Sequence, residues 1–262
     1  MRALHGRKAD FMATVTTFLG VSILVFLLGF QLGSYYQVAK GLNIGDKQFT
    51  LFSAYSRAEE ALFYVDESSG IALEQASSEA AAMGGTASPA CGTASGIALW
   101  KDGKKECYPS TEDNRAALAQ SLTPQLSKYL AAYKALKIPA DYSYEFKEGN
   151  IIGMAKQDTA ISGELAKTDS KDTYSYKFRA SFKHPMPYSD EYDALKAKAR
   201  QIASSCEGKN GFSGCIKSFD GPAAGGLQLD VNCLGPPDET ERLALICARN
   251  GKTEYRFGLR LE

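Results

Sequence analysis

The chain has 262 residues, and its 30 basic side chains balance its 30 acidic side chains. A balanced charge provides no net field to recruit nucleic acid or anionic lipid, so we expect no nucleic-acid partner. Beyond the apolar N-terminal segment, about 220 residues remain. That length is enough for one large domain or two small ones.

The longest uncharged stretch of the chain runs from Phe11 to Ala39 and holds 29 residues. A helix rises about 1.5 Å per residue, so roughly 20 apolar residues cross the hydrocarbon core of a bilayer. Backbone amides inside lipid must be paired within the segment, which favours a helix. The stretch therefore predicts a transmembrane helix over residues 11–36, preceded by a cytoplasmic tail of residues 1–10.

Positive charge flanks the predicted transmembrane helix on its N-terminal side, at Arg2, Arg7 and Lys8. Lysine and arginine are retained on the cytoplasmic side of a membrane, so we expect a cytoplasmic N-terminus. This orientation makes the chain a single-pass signal-anchor protein of the cell membrane, with the bulk of its residues extracytoplasmic.

Two processed forms compete with a retained anchor. A cleaved signal peptide fits the short basic N-terminus, although the apolar run exceeds the usual 7–15 or so residues and no A-x-A-like site follows it. A prepilin-type leader fits Arg7-Lys8-Ala9 ahead of an apolar helix, although Thr14 stands where such chains carry glutamate. Whether the segment is cleaved stays open, and a cut after Ala9 would indicate a filament subunit.

Gly29 and Gly33 form a G-x-x-x-G pattern within the predicted transmembrane helix. Two glycines on one face allow a second helix to approach closely, so both are helix-pairing candidates. In a lone anchor the same glycines would simply face lipid. The expected partners are therefore membrane lipid and, beside it, another membrane helix or an envelope protein.

All six cysteines follow the predicted transmembrane helix. An even number on the expected outer side predicts disulfides in an oxidising compartment, with buried free thiols as the alternative. Zinc is disfavoured because the chain has no C-x-x-C and His184 is the only histidine after the helix. Sequence order favours three local pairs: Cys91–Cys107, Cys206–Cys215 and Cys233–Cys247.

Residues 37–90 are predicted to be helical. Apolar side chains recur there at helical spacing, at Phe52, Tyr55, Ala58, Leu62 and Val65. A second helical piece is predicted from Ile71 to Met83, ended by Gly84-Gly85. The segment is either a stalk that raises the next domain above the membrane or a helix that packs on that domain.

Residues 91–262 are predicted to form an extracytoplasmic, disulfide-containing domain. Three helices are predicted from their capping residues: one at Ser110 with Asp113, one at Thr123-Pro124, and one at Ser189. The segment from Cys206 to Cys215 is rich in glycine and is predicted to be a loop.

Alternating apolar and polar residues predict strands with one buried face, over Tyr142–Phe146, Ile151–Ala155, Thr173–Phe182, Leu227–Cys233, Leu243–Arg249 and Thr253–Leu261. Asp102-Gly103 and Asn250-Gly251 predict tight hairpins. The predicted fold class is α+β: an N-terminal transmembrane helix, a helical segment, then a mainly antiparallel sheet with one or two covering helices.

The sequence offers no recognisable catalytic motif. His184 lies between Lys183 and Pro185, where a surface or capping role is favoured over that of a base in a Ser-His-Asp site. The motifs G-x-S-x-G, H-E-x-x-H and the glycine-rich phosphate loops are absent. Adjacent carboxylates such as Glu59–Glu60 and Asp190–Glu191 point apart on helices. We expect no catalytic residue, cofactor or metal, with a paired-carboxylate site as the open alternative.

Several short motifs together resemble those of uncharacterised single-span envelope proteins of small-genome archaea. They include Ala54-Tyr55-Ser56, Cys91 before Gly96–Trp100, Cys107-Tyr108-Pro109, Lys128–Leu130 through Ile138-Pro139, and Tyr174–Phe182. The resemblance spans most of the chain and implies an archaeal membrane protein. It implies no activity, and it brings no catalytic residues.

Three functions compete on these observations. The leading hypothesis is a membrane-anchored extracytoplasmic binding or structural protein of the cell envelope, and not an enzyme. The second is a pilin-like filament subunit, because an apolar N-terminal helix leads into an antiparallel domain with cysteines. The third is an extracytoplasmic carboxylate-based hydrolase, which requires two carboxylates to converge in a cleft.

Overall fold

The structure, a computed structural model, describes residues 21–25, 27–29, 44–164, 173–187, 190–251 and 253–262. It is an α+β fold with one long helix and mainly antiparallel sheets, which confirms the predicted fold class at this level. The chain divides into two compact units. The first holds the residues up to Arg57 together with 161–176, and the second holds residues 58–160 and 177–262.

From Ile44 onward, the described helices are α1 (Ile44–Ala82), α2 (Thr111–Ala132), α3 (Asp190–Cys206) and α4 (Phe212–Lys217). The strands are β1 (Thr93–Ala94), β2 (Ile97–Asp102), β3 (Lys105–Glu106), β4 (Tyr142–Lys147), β5 (Asn150–Ala155), β6 (Thr159–Glu164), β7 (Thr173–Phe178), β8 (Ser181–Pro185), β9 (Gly221–Pro222), β10 (Gln228–Asp230), β11 (Leu243–Asn250) and β12 (Thr253–Arg260).

The predicted transmembrane helix over residues 11–36 lies largely outside the described residues, as do the predicted tail and Gly33. Its described parts, 21–25 and 27–29, are helical, and Gly29 has open space around it. Across the ranges that the structure describes, no helix combines the length and the apolar character that crossing a membrane requires.

The largest sheet has the strand order β1-β2-β12-β11-β10-β9, and the short strand β3 also pairs with β2. Its neighbours are antiparallel except β2 and β12, which run parallel. Asn250 and Thr253 face each other across the β11–β12 turn, which confirms the predicted hairpin at Asn250-Gly251. Strands β4, β5 and β8 form a separate antiparallel sheet, and β6 pairs with β7.

Helix α1 is a single helix of 39 residues, so the predicted break before Ile71 is wrong. Gly70 is accommodated within it. The helix ends as predicted, because Gly84 and Gly85 both have positive φ, which glycine adopts without the strain of a Cβ. Residues of its second half, including Ala61, Val65, Ala72 and Leu73, lie in the hydrophobic core of the second unit.

Helix α2 is likewise continuous, and the predicted restart at Thr123-Pro124 is wrong. The capping box of Ser110 and Asp113 is confirmed, with both reciprocal hydrogen bonds present. Pro124 cannot donate a backbone hydrogen bond, yet the helix passes through it. The buried leucines at positions 118, 122, 126 and 130 explain why, since they keep one face of α2 in the core across the proline.

Two stretches depart from the predicted strands. The single strand predicted over Thr173–Phe182 is broken, because β7 pairs with β6 whereas β8 pairs with β5. At the break the buried Ala180 accepts a backbone hydrogen bond from Ala155 at 2.9 Å. Strand β6 itself was not predicted, and α4 begins inside the segment predicted as a loop between Cys206 and Cys215.

The core of the second unit is built around Trp100 of β2. Its ring stacks on Phe257 of β12 with centroids 4.3 Å apart. The indole Nε1–H donates to the carbonyl of Gly84 at 2.9 Å, so its polar group is satisfied in a buried position. This tryptophan therefore has a packing role, and it fixes the end of α1 against the largest sheet.

Candidate binding groove

All six cysteines are paired in the second unit, as Cys91–Cys107, Cys206–Cys215 and Cys233–Cys247. The Cα atoms of the pairs lie 5.8, 5.7 and 6.1 Å apart. These are the local pairs that sequence order predicts. The first closes the segment that contains β1, β2 and β3, and the second joins the end of α3 to α4.

His184 does not form a nucleophile–base pair with the serine that it contacts. Its Nε2 lies 2.7 Å from Ser69 Oγ and 3.1 Å from the Asp66 carbonyl oxygen. The Ser69 hydroxyl donates its proton to that same carbonyl at 2.8 Å, so we assign the Ser69 oxygen as the acceptor from Nε2–H. The imidazole thus donates toward the serine, whereas a base must accept from it.

The Asp66 carboxylate does not complete a triad either. Its Oδ1 lies 3.8 Å from Nε2, the same ring nitrogen that faces Ser69. A Ser-His-Asp site needs the carboxylate on the opposite nitrogen, where it holds the imidazole in the correct tautomer. Ser69 is also fully buried. The contact is a hydrogen bond that joins the middle of α1 to β8.

A polar groove of about 420 Å³ lies between α3 and the β2–β3 hairpin. Its charged and hydrogen-bonding side chains include Lys101, Glu106, Tyr108, Arg200, Gln201 and Glu207. The volume is within the roughly 300–1,000 Å³ typical of small-molecule sites. The groove is thus large enough for a small ligand or for a short segment of a partner.

An ion pair between a buried lysine and an exposed glutamate forms one wall of this groove. Lys101 Nζ lies 3.1 Å from Glu207 Oε2, and the Lys101 side chain is 8% exposed against 37% for Glu207. The pair joins β2 to the residue directly after α3. Because a lysine inside a protein needs a partner for its charge, Glu207 fixes the position of this ammonium group.

Tyr108 lies beneath the guanidinium of Arg200, whose Cζ is 4.9 Å from the ring centroid. Burial raises the pKa of Tyr108 to about 12, with Glu106 adding to the rise and Arg200 opposing it. The phenol therefore stays protonated near neutral pH. Its hydroxyl is buried and has no hydrogen-bond partner among the described residues.

Glu106 and Glu207 line the same groove, although they are far apart in the sequence. Neither belongs to the adjacent pairs that the sequence offered. Glu59 and Glu60 are exposed, as expected for a solvated helix face, and Glu191 accepts a hydrogen bond from Asn250. No local pattern could have found the groove, because β2, β3 and α3 are brought together only by folding.

The first unit carries an exposed apolar surface on α1. Phe52 is 70% exposed and Tyr55 is 53% exposed, whereas Ala58 and Val65 are fully buried. The predicted helical recurrence through these positions is therefore exposed at its first two members and buried further along the helix. We name the surface formed by Gln48, Leu51, Phe52, Tyr55 and Tyr176 the aromatic face, which surrounds a depression of about 390 Å³.

No three or more histidine, cysteine, aspartate or glutamate side chains come together to hold a metal ion in the described parts of the chain. No protein-family model, no curated protein and no solved structure matches this chain.

Proposed function

We propose that this protein is a membrane-anchored extracytoplasmic binding or structural protein of the cell envelope. The observation that carries the proposal is the pairing of all six cysteines in a domain that follows a 29-residue uncharged stretch. Disulfides form and persist in oxidising compartments and are rare in the cytosol. The stretch Phe11–Ala39 supplies the anchor, and the resemblance to single-span archaeal envelope proteins agrees with it.

The groove beside α3 is the candidate binding site of the outer domain. It offers the Arg200 guanidinium and the carboxylates of Glu106 and Glu207 within one concave surface. Membrane lipid is the partner of the anchor, and Gly29 and Gly33 offer a surface for another membrane helix or an envelope protein. The proposal includes no cofactor and no nucleic acid.

Membrane extraction and thiol labelling of the full chain, expressed in a bacterium, test the proposal. We expect the chain to remain with membranes in alkaline carbonate, and we expect no thiol to react with maleimide before reduction. In intact spheroplasts, an impermeant reductant followed by an impermeant maleimide should label up to six cysteines. Six thiols that react without reduction, or a chain that washes off membranes, would contradict the proposal.

A carboxylate-based hydrolase is the second candidate, favoured by the presence of Glu106 and Glu207 in one groove. In that case E106Q should abolish hydrolysis of a panel of chromogenic glycosides. The matched control is E112Q, which alters an exposed acid at the start of α2. Equal rates in E106Q, E112Q and the unmodified chain would remove Glu106 from any such reaction.

A pilin-like filament subunit is also favoured by one observation. Helix α1 is 39 residues long, and its second half packs into an antiparallel domain that contains disulfides. The mass of the mature chain tests this candidate, because a cut after Ala9 would remove nine residues. An intact N-terminus would exclude processing at that position.

A further inference from the structure

The first unit exposes large apolar side chains close together on α1. Phe49 is 73% exposed, Phe52 is 70% exposed, and Leu51 and Tyr55 are also exposed. Positions 48, 51, 52 and 55 follow the i, i+3, i+4, i+7 spacing over two helical turns and therefore share one side of the helix. The ring of Tyr176 from β7 meets Tyr55 edge-on, with centroids 6.2 Å apart.

The burial of Ala54 shows which side of α1 packs within the first unit. Ala54 and Ile161 of β6 are both buried, and both line the space between this part of the helix and β6. Phe52, two positions before Ala54, is on the opposite side of the helix. Burial of large apolar side chains is favourable, so contiguous exposure of several of them indicates an interaction surface.

Chain length restricts what this surface can reach. The uncharged stretch ends at Ala39, nine residues before Gln48. An extended chain covers at most about 3.6 Å per residue, so roughly 32 Å separates the two positions at most. If the stretch spans the bilayer, the aromatic face is held near the outer membrane surface.

The residue types of the aromatic face fit that surface better than they fit water. Phenylalanine and tyrosine suit the boundary between headgroups and acyl chains, where tyrosine keeps its hydroxyl hydrated. No charged residue occupies the aromatic face. Arg57 lies on the opposite side of this segment, and Glu59, the next exposed position on the aromatic side, is charged, so the apolar surface is interrupted after Tyr55.

We propose that the aromatic face rests on the lipid bilayer at the level of the headgroup–acyl boundary. The contact adds a second membrane attachment to the anchor, and the inference rests on the proposed anchoring of this chain. Its ligand is the lipid surface itself, which Phe52 enters and which Tyr55 and Tyr176 contact at their rings.

Fluorescence quenching by brominated lipid tests the inference in the full chain. Trp100 is buried, so bromine in lipid should not reach it, and Phe52→Trp introduces a reporter on the aromatic face. The matched control is Arg57→Trp, because Arg57 is exposed on the same helix, five residues further on and on the opposite side. Each variant is reconstituted in phosphatidylcholine vesicles with bromines near the headgroup, and flotation reports anchoring.

We expect the vesicles to float the full chain, and we expect F52W to lose at least half of its added fluorescence while R57W loses little. Equal quenching of F52W and R57W would overturn the specific contact. A floating chain with unquenched F52W would overturn the inference and leave the anchor intact. If the emission of the tryptophan introduced in this floating, unquenched F52W chain depends on protein concentration, a second copy of the chain covers the aromatic face. A chain that does not float would overturn the proposed anchor as well.

Discussion

Ser69 Oγ and His184 Nε2 lie 2.7 Å apart, and this hydrogen bond joins the middle of α1 to strand β8. The two residues are 115 positions apart in the chain. The imidazole also stacks on Phe182 of the same strand, with ring centroids 5.5 Å apart. A pair of residue types associated with catalysis therefore has a structural role, because the direction of its hydrogen bond is opposite to the one that catalysis needs.

Ser69→Ala should lower the free energy of unfolding by about 0.5–1.5 kcal/mol, because His184 Nε2–H loses its contact at 2.7 Å and keeps only the longer one, to the Asp66 carbonyl oxygen at 3.1 Å. Ser77→Ala is a matched control. Ser77 is similarly buried on α1, and its hydroxyl also donates to a carbonyl three residues earlier, at Glu74. Alanine favours helix, so S77A should be close to neutral. Urea unfolding of the oxidised chain measures the free energy of unfolding of both variants. Equal losses of stability would contradict a stabilising hydrogen bond between Ser69 and His184.

Lys101 and Glu207 should respond unequally to substitution. Glu207→Gln leaves a buried ammonium without its counter-charge, whereas Lys101→Met leaves a carboxylate that water still reaches. Removing one partner of a fully buried pair costs about 3–5 kcal/mol, and the partial exposure of Glu207 lowers this to about 2–3 kcal/mol for E207Q. We expect K101M to cost less than about 1 kcal/mol.

Lys104→Ala serves as the control for this pair, since Lys104 and Glu262 are both exposed and lie 3.8 Å apart. Exposed pairs contribute about 0–1 kcal/mol, so this variant should be nearly neutral. Chemical denaturation of the three variants compares them directly. The interpretation fails if K101M is as destabilising as E207Q.

Gly84→Ala should be among the more damaging single substitutions in the chain. Gly84 has a φ of +93°, and a Cβ there would lie 2.8 Å from the Ala98 Cβ and 3.2 Å from the Arg256 carbonyl oxygen. Strain and overpacking together should cost about 2–4 kcal/mol. Gly92→Ala, at a φ of +77° with open space around it, should cost only about 1–2 kcal/mol. Calorimetric melting temperatures rank the two variants. An equal fall in melting temperature for G84A and G92A would contradict the predicted clash of the new Cβ at position 84.

Features set by neighbouring residues are the ones that the sequence could predict. The capping box of Ser110 and Asp113 needs only a spacing of three, and the Asn250-Gly251 hairpin needs only a turn that accepts positive φ. The cysteine pairs were predictable for a similar reason, because each closes a short loop.

Features set by a distant partner could not be predicted. A helical period indicates that Phe52 and Val65 recur on a helix, but it does not indicate what covers each turn, and the structure exposes one and buries the other. The groove has the same origin, because Tyr108 and Arg200 meet only when β2, β3 and α3 have packed. The continuity of α2 through Pro124 depends on tertiary burial of its leucines, which outweighs the local signal to stop.

The last prediction concerns Tyr142, whose buried hydroxyl has no hydrogen-bond partner among the described residues. Burial, with Tyr144 as a smaller cause, raises the pKa of Tyr142 to about 12, above the value near 10 of an unfolded chain. The folded state then holds its proton more tightly than the unfolded state. The resulting stability is fully present below pH 10 and is lost as the pH rises from about 10 to 12.

Tyr142→Phe should therefore leave the free energy of unfolding at pH 7 unchanged or raise it by up to about 1 kcal/mol, since it removes a polar group that costs free energy when buried unpaired. It should also make stability fall less steeply between pH 10 and 12. Tyr144→Phe is the control on the same strand, because the Tyr144 hydroxyl has a partner, the Thr123 hydroxyl at 3.4 Å. Y144F should lose a few tenths of a kcal/mol or more at pH 7. Urea unfolding at pH 7 and at steps from pH 9 to 12 measures the stability of both variants. The raised pKa of Tyr142 would be contradicted if Y142F is less stable at pH 7 and its stability falls as steeply between pH 10 and 12 as that of the unmodified chain.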